Sequence, residues 1–119
     1  MTIELLKEKF NKIYAADTCY PMCRNDWNAN NPTLGHCAVA SLIVNDYFGG
    51  EIYKIKVNEI SHYFNVIAGD IVDLTAAQFG KPIDYSDRIK KTREEMLENE
   101  DTLVRYNLFK NRLQEIIEN

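Results

Sequence analysis

Three side chains in this sequence are of the types that nucleophilic catalysis requires: Cys37, His62 and Asp73. A thiol attacks a carbonyl carbon once a base has taken its proton, and imidazole is the side chain that most often serves as that base. A carboxylate on the far side of the imidazole holds the ring in one orientation. Because each type is common, the prediction depends on the elements that position them.

Cys37 is predicted to lie in the first turn of an apolar helix over about 36–48. Pro32 and Gly35 mark a loop before this helix, and a glycine pair ends it. The unpaired backbone N–H groups and the positive dipole end of a helix start favour a thiolate over a thiol. The commoner alternative is a buried cysteine that packs as a small apolar residue.

His62 and Asp73 are predicted to meet across a β-hairpin that turns at Ala68-Gly69. In that hairpin Phe64 faces Asp73, and strand alternation puts His62 beside Asp73 as a diagonal neighbour within hydrogen-bond reach. A four-residue loop keeps this parity, whereas a three-residue loop reverses it. Each residue alone has a simpler explanation: a core histidine bonded to backbone, and an aspartate that caps a turn.

The remaining pattern predicts an α+β fold in which residues 1–119 form a single domain. The predicted order is a helix over 2–15, a loop over 16–36, the central helix, three strands (51–57, 60–67 and 71–74) and helices over 86–118. Ser86 is predicted to cap a helix that ends near Asn99. We therefore expect the central helix to pack on a small antiparallel sheet.

The loop over 16–36 is long for a compact domain, and such loops are commonly functional. It contains Trp27, the only tryptophan, and it directly precedes the candidate nucleophile, where substrate-positioning groups are expected. Cys19 and Cys23, together with the His36-Cys37 pair, also offer zinc-ligand types, although their spacing is not that of paired CxxC motifs. A structural zinc protein therefore stays as an alternative to a protein with no cofactor.

Composition restricts the partners. The net charge is −4 and no cluster of lysine and arginine dominates, which argues against nucleic acid. No apolar run has the length of a membrane span, and the start lacks a signal-peptide pattern, so we expect a cytoplasmic protein that binds no membrane. A cytosolic chain gives little reason for a disulfide between Cys19 and Cys23. The sequence specifies no oligomeric state.

Four segments resemble the YunG-like family, small bacterial proteins of unassigned function: GHCAVA at 35–40, FGGEI at 48–52, SHYFN at 61–65 and VDLTAAQF at 72–79. The order also resembles the papain-like and transglutaminase-like superfamily, which places cysteine at a helix start and histidine and Asp/Asn on later strands. This resemblance implies a papain-like/transglutaminase-like core. It also implies that Cys37 is the nucleophile, His62 the base and later acid, and Asp73 the orienting group.

The same resemblance implies an oxyanion hole formed by His36, the Cys37 backbone N–H and the side chain of Asn31 or its neighbour Asn30. Trp27, by its position in the preceding loop, is predicted to bind substrate. Asn31 lies near the offset at which papain-like enzymes hold a glutamine, and His36 stands where YunG-like sequences often carry glutamine. For the two asparagines, ordinary turn formation is the alternative.

Besides the structural zinc protein, the sequence predicts two possible functions. The first is a cysteine-dependent acyl-transfer enzyme, an amidase or peptidase or a transamidase, acting on an unknown peptide or small amide. The alternative is a catalytically inactive papain-like module that binds a partner through the 16–36 loop and the aromatic residues Tyr20, Trp27 and Tyr63.

Overall fold

Four antiparallel strands form one sheet in the computed structural model, which describes residues 1–118. The strands are β1 (Glu51–Val57), β2 (Ile60–Ile67), β3 (Asp70–Val72) and β4 (Ile89–Lys91), in the order β3-β2-β1-β4. The helices are α1 (Ile3–Ile13), α2 (Cys37–Phe48), α3 (Arg93–Leu97) and α4 (Glu100–Glu118). Short 3-10 turns cover Ala16–Thr18, Pro21–Cys23 and Ala76–Phe79. The predicted α+β class is confirmed.

Helix α2 is the central element, because every side chain from Ala38 to Val44 is buried. This helix contacts both β2 and α4. Asn65 on β2 donates from Nδ2 to the Ser41 carbonyl oxygen at 3.0 Å, so a buried amide ties the strand to the helix. At the other end, Asn45 donates to the carbonyl oxygen of Gly49, and the helix ends as predicted.

The β2–β3 hairpin turns at Ala68 and Gly69, whose φ angles are 51° and 85°. Two residues with positive φ form the turn whose twist matches that of the flanking strands. Asn65 pairs with Val72 across the hairpin, which is the register that the sequence predicted. The side chain of Asn65 therefore points toward α2, and the side chains of its neighbours on β2 point to the opposite face.

Residues 86–99 differ from the predicted helix. Ile89–Lys91 instead forms the edge strand β4, with Lys90 opposite Tyr53 of β1. Helix α3 begins later, at a capping box made by Thr92 and Glu95. The prediction of three strands and of a helix starting at Ser86 is wrong, because pairing with the free edge of β1 outweighs the local helical preference.

Helix α1 begins where Thr2 Oγ1 accepts a hydrogen bond from the Leu5 N–H at 3.1 Å. It packs on α4 through Phe10 and Phe109, whose ring centroids lie 5.1 Å apart. Its bounds agree with the amphipathic helix predicted over 2–15. Within residues 1–118, no helix combines the length and the apolar character needed to cross a membrane.

Helix α4 also holds the loop that leads to α2. Arg105 is buried, binds Asp101 from Nε at 2.8 Å and donates from a guanidinium N–H to the Thr18 carbonyl oxygen at 3.3 Å. Two turns further along α4, Arg112 makes two hydrogen bonds of 2.6 Å to the Asp17 carboxylate. The start of the 16–36 loop is thus anchored by the last helix of the fold.

Candidate functional site

Cys37 is the first residue of α2, as predicted. Its side chain is half-buried, and Sγ lies 3.9 Å from the carbonyl oxygen of Ser61 on β2. Ser61 directly precedes His62, so the helix start meets β2 at the point where the strand carries its histidine. The backbone N–H groups of the first helical turn lie next to the sulfur, where they can act as hydrogen-bond donors.

His62 and Asp73 form a direct hydrogen bond. His62 is 0% exposed, and its Nε2–H donates to Asp73 Oδ2 at 2.6 Å. The ring of Phe79 packs edge-on against the imidazole, with centroids 4.9 Å apart. Because Nε2 carries the proton toward the carboxylate, Nδ1 of the neutral ring is left as an acceptor. The hairpin parity therefore places these two side chains together as predicted.

The electrostatic environment of His62 favours its charged form. Burial opposes protonation, but hydrogen bonds to Asp73 and Cys37 and the charges of those two partners raise the pKa of His62 to about 9. The structure thus joins the imidazole to the carboxylate by a hydrogen bond, and the Cys37 sulfur lies within electrostatic range of the same ring.

Asp73 is held by more than its histidine. Its Oδ1 accepts hydrogen bonds from the Thr75 N–H at 3.2 Å and the Thr75 hydroxyl at 3.4 Å. Its Oδ2 also accepts the Tyr85 hydroxyl at 2.7 Å. Burial and this hydrogen bond raise the pKa of Tyr85, so its phenol stays a donor at neutral pH. Asp73 therefore caps a turn and orients His62 at the same time.

Gln78 connects the site to the loop before Cys37. Its Oε1 accepts the Gly35 N–H at 3.2 Å, and its Nε2 donates to the Thr75 carbonyl oxygen at 3.1 Å. The same Nε2 lies 3.4 Å from Nδ1 of His62. One glutamine thus spans the backbone two residues before the candidate nucleophile and the ring of the candidate base.

The predicted loop residues Asn31 and Trp27 anchor the loop. Asn31 donates from Nδ2 to the carbonyl oxygen of Gln78 at 3.3 Å. Trp27 donates from Nε1 to the Pro32 carbonyl oxygen at 3.0 Å, and its partly buried ring packs against the main core. Both residues shape the segment that approaches Cys37 through these backbone contacts.

His36, a predicted oxyanion residue, lies in the core. The side chain is 0% exposed, its Nδ1–H donates to the Leu34 carbonyl oxygen at 2.9 Å, and Nε2 lies 2.8 Å from the Thr18 hydroxyl. The ring packs against Tyr14, with centroids 4.7 Å apart. Burial lowers the pKa of His36 to about 4, so the ring is neutral at pH 7. Both nitrogens are occupied by structural contacts.

A family model described as "YunG protein" matches residues 2–118. The chain belongs to the YunG family. A relative in Bacillus subtilis (strain 168), "Uncharacterized protein YunG", is 42% identical over 69 residues, which are 58% of this chain and 59% of the relative. The chain thus spans 59% of the length of that YunG relative. No solved structure matches the chain.

The zinc alternative finds no geometric support in this YunG-family chain. Among residues 1–118, no group of three or more His, Cys, Asp and Glu side chains is arranged to hold a metal ion. Cys19, Cys23 and Cys37 are free thiols. The Cys19 thiol donates to the Tyr20 carbonyl oxygen at 3.2 Å, which gives it a structural role in the loop.

Sequence reasoning assigned no role to Gln78, Thr75 or Tyr85. Gln78 and Thr75 lie inside a segment that resembles YunG proteins, but no spacing rule connects either residue to the site. Tyr85 follows an irregular stretch with no periodicity, and only the folded chain shows that its hydroxyl reaches Asp73. All three residues are found only through their contacts in the folded protein, and a single sequence does not specify those contacts.

Proposed function

We propose that this YunG-family protein is a cysteine-dependent acyl-transfer enzyme of the amidase, peptidase or transamidase type. The supporting observation is the arrangement beside the start of α2, in which His62 bonds to Asp73 at 2.6 Å and lies within electrostatic range of Cys37, whose sulfur is 3.9 Å from the carbonyl oxygen of the preceding residue, Ser61. This arrangement supplies a nucleophile, a base and an orienting group.

In the proposed reaction, Cys37 Sγ attacks the substrate carbonyl carbon, and a sulfur–carbon bond forms. The carbon–nitrogen bond then breaks, and the leaving amine takes its proton from the His62 imidazolium. Water or a second amine then attacks the carbonyl carbon of the resulting thioester while His62 accepts the proton of that nucleophile. The sulfur–carbon bond breaks, which releases the acyl product and restores the Cys37 thiolate. In this proposal, backbone N–H groups at the start of α2, including that of Cys37, bind the developing oxyanion.

We propose further that α2 and β1–β3 form a papain-like/transglutaminase-like core. The support is the chain order, in which a helix starting at cysteine precedes antiparallel strands that carry histidine and aspartate. Fold analogy of this kind bears on the class of chemistry and says nothing of the substrate. The proposed substrate class therefore stays at a peptide or small amide.

Alkylation with iodoacetamide from pH 5 to 9, followed by peptide mass spectrometry, tests the activated thiol. The reference is free 2-mercaptoethanol, because Cys19 is buried and burial raises the pKa of both Cys19 and Cys23. We expect Cys37 to be alkylated about tenfold faster than this reference at pH 6, and His62→Ala to remove the advantage. Alkylation of Cys37 no faster than that of an ordinary free thiol at pH 6, unchanged by His62→Ala, would rule the proposal out.

Acyl transfer itself is tested with the activated ester p-nitrophenyl acetate. The expected result is a rapid release of one equivalent of p-nitrophenol and an acetyl group on Cys37, both absent in Cys37→Ser. An acetyl group found only on lysines, or equal release from Cys37→Ser, contradicts the assignment of Cys37 as nucleophile.

A further inference from the structure

A polar groove lies beside the candidate site. It has a volume of about 200 Å³ and runs between the start of α2, β2 and the junction of α3 with α4. Its lining consists of Ala38, Tyr63, Glu95, Met96, Asn99 and Thr102. None of these residues belongs to the series of Cys37, His62 and Asp73.

Two lining residues are chain neighbours of that series. Ala38 directly follows Cys37 at the start of α2. Tyr63 follows His62 on β2, and its side chain lies on the face of the strand that packs toward α2, opposite to that of His62. Burial raises the pKa of Tyr63, and negative charge on Cys37 and on Glu95 raises it further, so the phenol lies within electrostatic range of both groups. The groove therefore extends from the start of α2, one residue after the candidate nucleophile, to the carboxylate of Glu95.

The charge and chemistry of the lining favour a cation. Among the lining residues, all within the described chain, Glu95 alone carries a formal charge. Its Oε1 accepts the Thr92 N–H at 2.7 Å, and its side chain is exposed, so the second oxygen can receive a ligand. The Tyr63 ring adds an aromatic face, which attracts ammonium groups.

The start of α4 also borders the groove, and a helix start carries a partial positive charge. That charge is offset by Glu100 and Asp101 in the first turn of α4. Asn99 Oδ1 further caps this helix by accepting the Thr102 N–H at 3.0 Å. The formal charge of Glu95 therefore sets the preference of the groove.

We propose that this groove binds an alkylammonium group of the substrate, located a few atoms from the carbonyl that Cys37 attacks. This inference rests on the proposed function, because it names the substrate class of the same site. It makes the preferred substrate a cationic amide, with Glu95 as the residue that selects the charge and Tyr63 as the aromatic wall.

The test compares two thiol reagents of similar size and opposite charge, the ethylammonium and ethylsulfonate methanethiosulfonates. Each forms a disulfide with Cys37 and releases methanesulfinate, so the rate reports on access of a charged group to the sulfur without requiring turnover. The rate of modification of Cys37 by each reagent is measured by peptide mass spectrometry. It is divided by the rate at which the same reagent modifies free 2-mercaptoethanol, which corrects for the intrinsic reactivity of the reagent. We expect the cationic-to-anionic ratio for Cys37 to fall about fivefold in Glu95→Gln.

Glu94→Gln is the matched control, because it removes the same charge from the neighbouring position of α3 without touching the groove lining. Glutamine also serves in capping boxes, so Glu95→Gln retains the start of α3, and circular dichroism and thermal unfolding verify this. The ratio in wild-type protein is expected to shrink at high salt, since ions screen an exposed carboxylate.

The outcomes separate this inference from the function on which it rests. A ratio unchanged by Glu95→Gln, or lowered equally by Glu94→Gln, overturns the cation site even if Cys37 is highly reactive. A Cys37 that reacts no faster than 2-mercaptoethanol and ignores His62→Ala overturns the proposed enzyme, while the ratio still reports on the groove.

Discussion

Asp73 is the residue on which the electrostatics of the site depend. Its carboxylate accepts hydrogen bonds from the side chains of His62, Thr75 and Tyr85, and it contributes to the pKa of about 9 at His62. The hydrogen bond to this carboxylate and its charge favour the protonated form of the His62 ring.

Asp73→Asn keeps the shape of the side chain and removes its charge. We expect the pKa of His62 to fall from about 9 toward its ordinary value, because burial continues to oppose protonation without an opposing carboxylate. The measurement is an NMR titration of the His62 ring, with Asp70→Asn on the exposed part of β3 as the control. An unchanged His62 titration in Asp73→Asn would refute this account.

At the residue scale, the sequence predicted Cys37, His62 and Asp73 because helix starts and hairpin parity are local rules. Cys37 follows loop residues and begins an apolar run, and a two-residue turn fixes which face of β2 meets Asp73. The direction of the His36 ring does not follow from local rules, because a position just before a helix does not specify it. Packing on Tyr14 determines that direction.

The short turn Ala76–Phe79 is the element that joins the hairpin to the loop. Gln78 within it contacts Gly35, Thr75 and His62 through its side chain and Asn31 through its carbonyl oxygen. Elements with few backbone hydrogen bonds of their own depend on such side-chain contacts for their position. Gln78 therefore contributes, together with Asn65, to the relative placement of Cys37 and His62.

Gln78→Ala removes the acceptor of the Gly35 N–H and leaves that part-buried group unpaired. We expect the free energy of unfolding to fall by about 1 to 2 kcal/mol. We also expect alkylation of Cys37 at pH 6 to slow, since the loop and the imidazole lose their shared contact. Urea denaturation and iodoacetamide mapping measure the two effects.

Gln114→Ala, at an exposed position of α4, is the control. It should change the free energy of unfolding by no more than about 0.5 kcal/mol and leave the rate of Cys37 alkylation unchanged. Full stability and full reactivity in Gln78→Ala would show that the turn is positioned by other contacts.

At the element scale, local signals predicted α1, α2, β1 and β2, and they failed at β4. The basic run that includes Arg88 and Lys90 carries no strand periodicity, and a three-residue edge strand is too short to produce one. Its pairing with β1 includes an ion pair of 3.0 Å between Lys90 and Glu51. Whether such a short segment forms an edge strand depends on the strand that it pairs with in the folded protein.

The two histidines give the whole molecule a characteristic pH dependence of stability. His36 has its pKa lowered to about 4 by burial, so its contribution is present above pH 6.5 and is lost as pH falls from 6.5 to 4. His62 has its pKa raised to about 9, so its contribution is present below pH 6.5 and is lost as pH rises from 6.5 to 9.

The free energy of unfolding is therefore expected to be greatest near pH 6.5, with each limb falling by on the order of 3 kcal/mol. Urea denaturation from pH 4 to 9 measures the curve. His62→Gln should remove the fall above pH 6.5 and keep the fall below it, which separates the two residues. An alkaline limb that is equally steep in His62→Gln would exclude His62 as its cause.

The anchoring of the 16–36 loop by Arg105 and Arg112 has a consequence for synthesis of the protein. Arg105 and Arg112 follow the residues that they bind, Thr18 and Asp17, by 87 and 95 positions in the chain. The nascent chain therefore contains Cys37, His62 and Asp73 before either arginine has been synthesised. Until then, the segment that leads to Cys37 lacks both of these anchors.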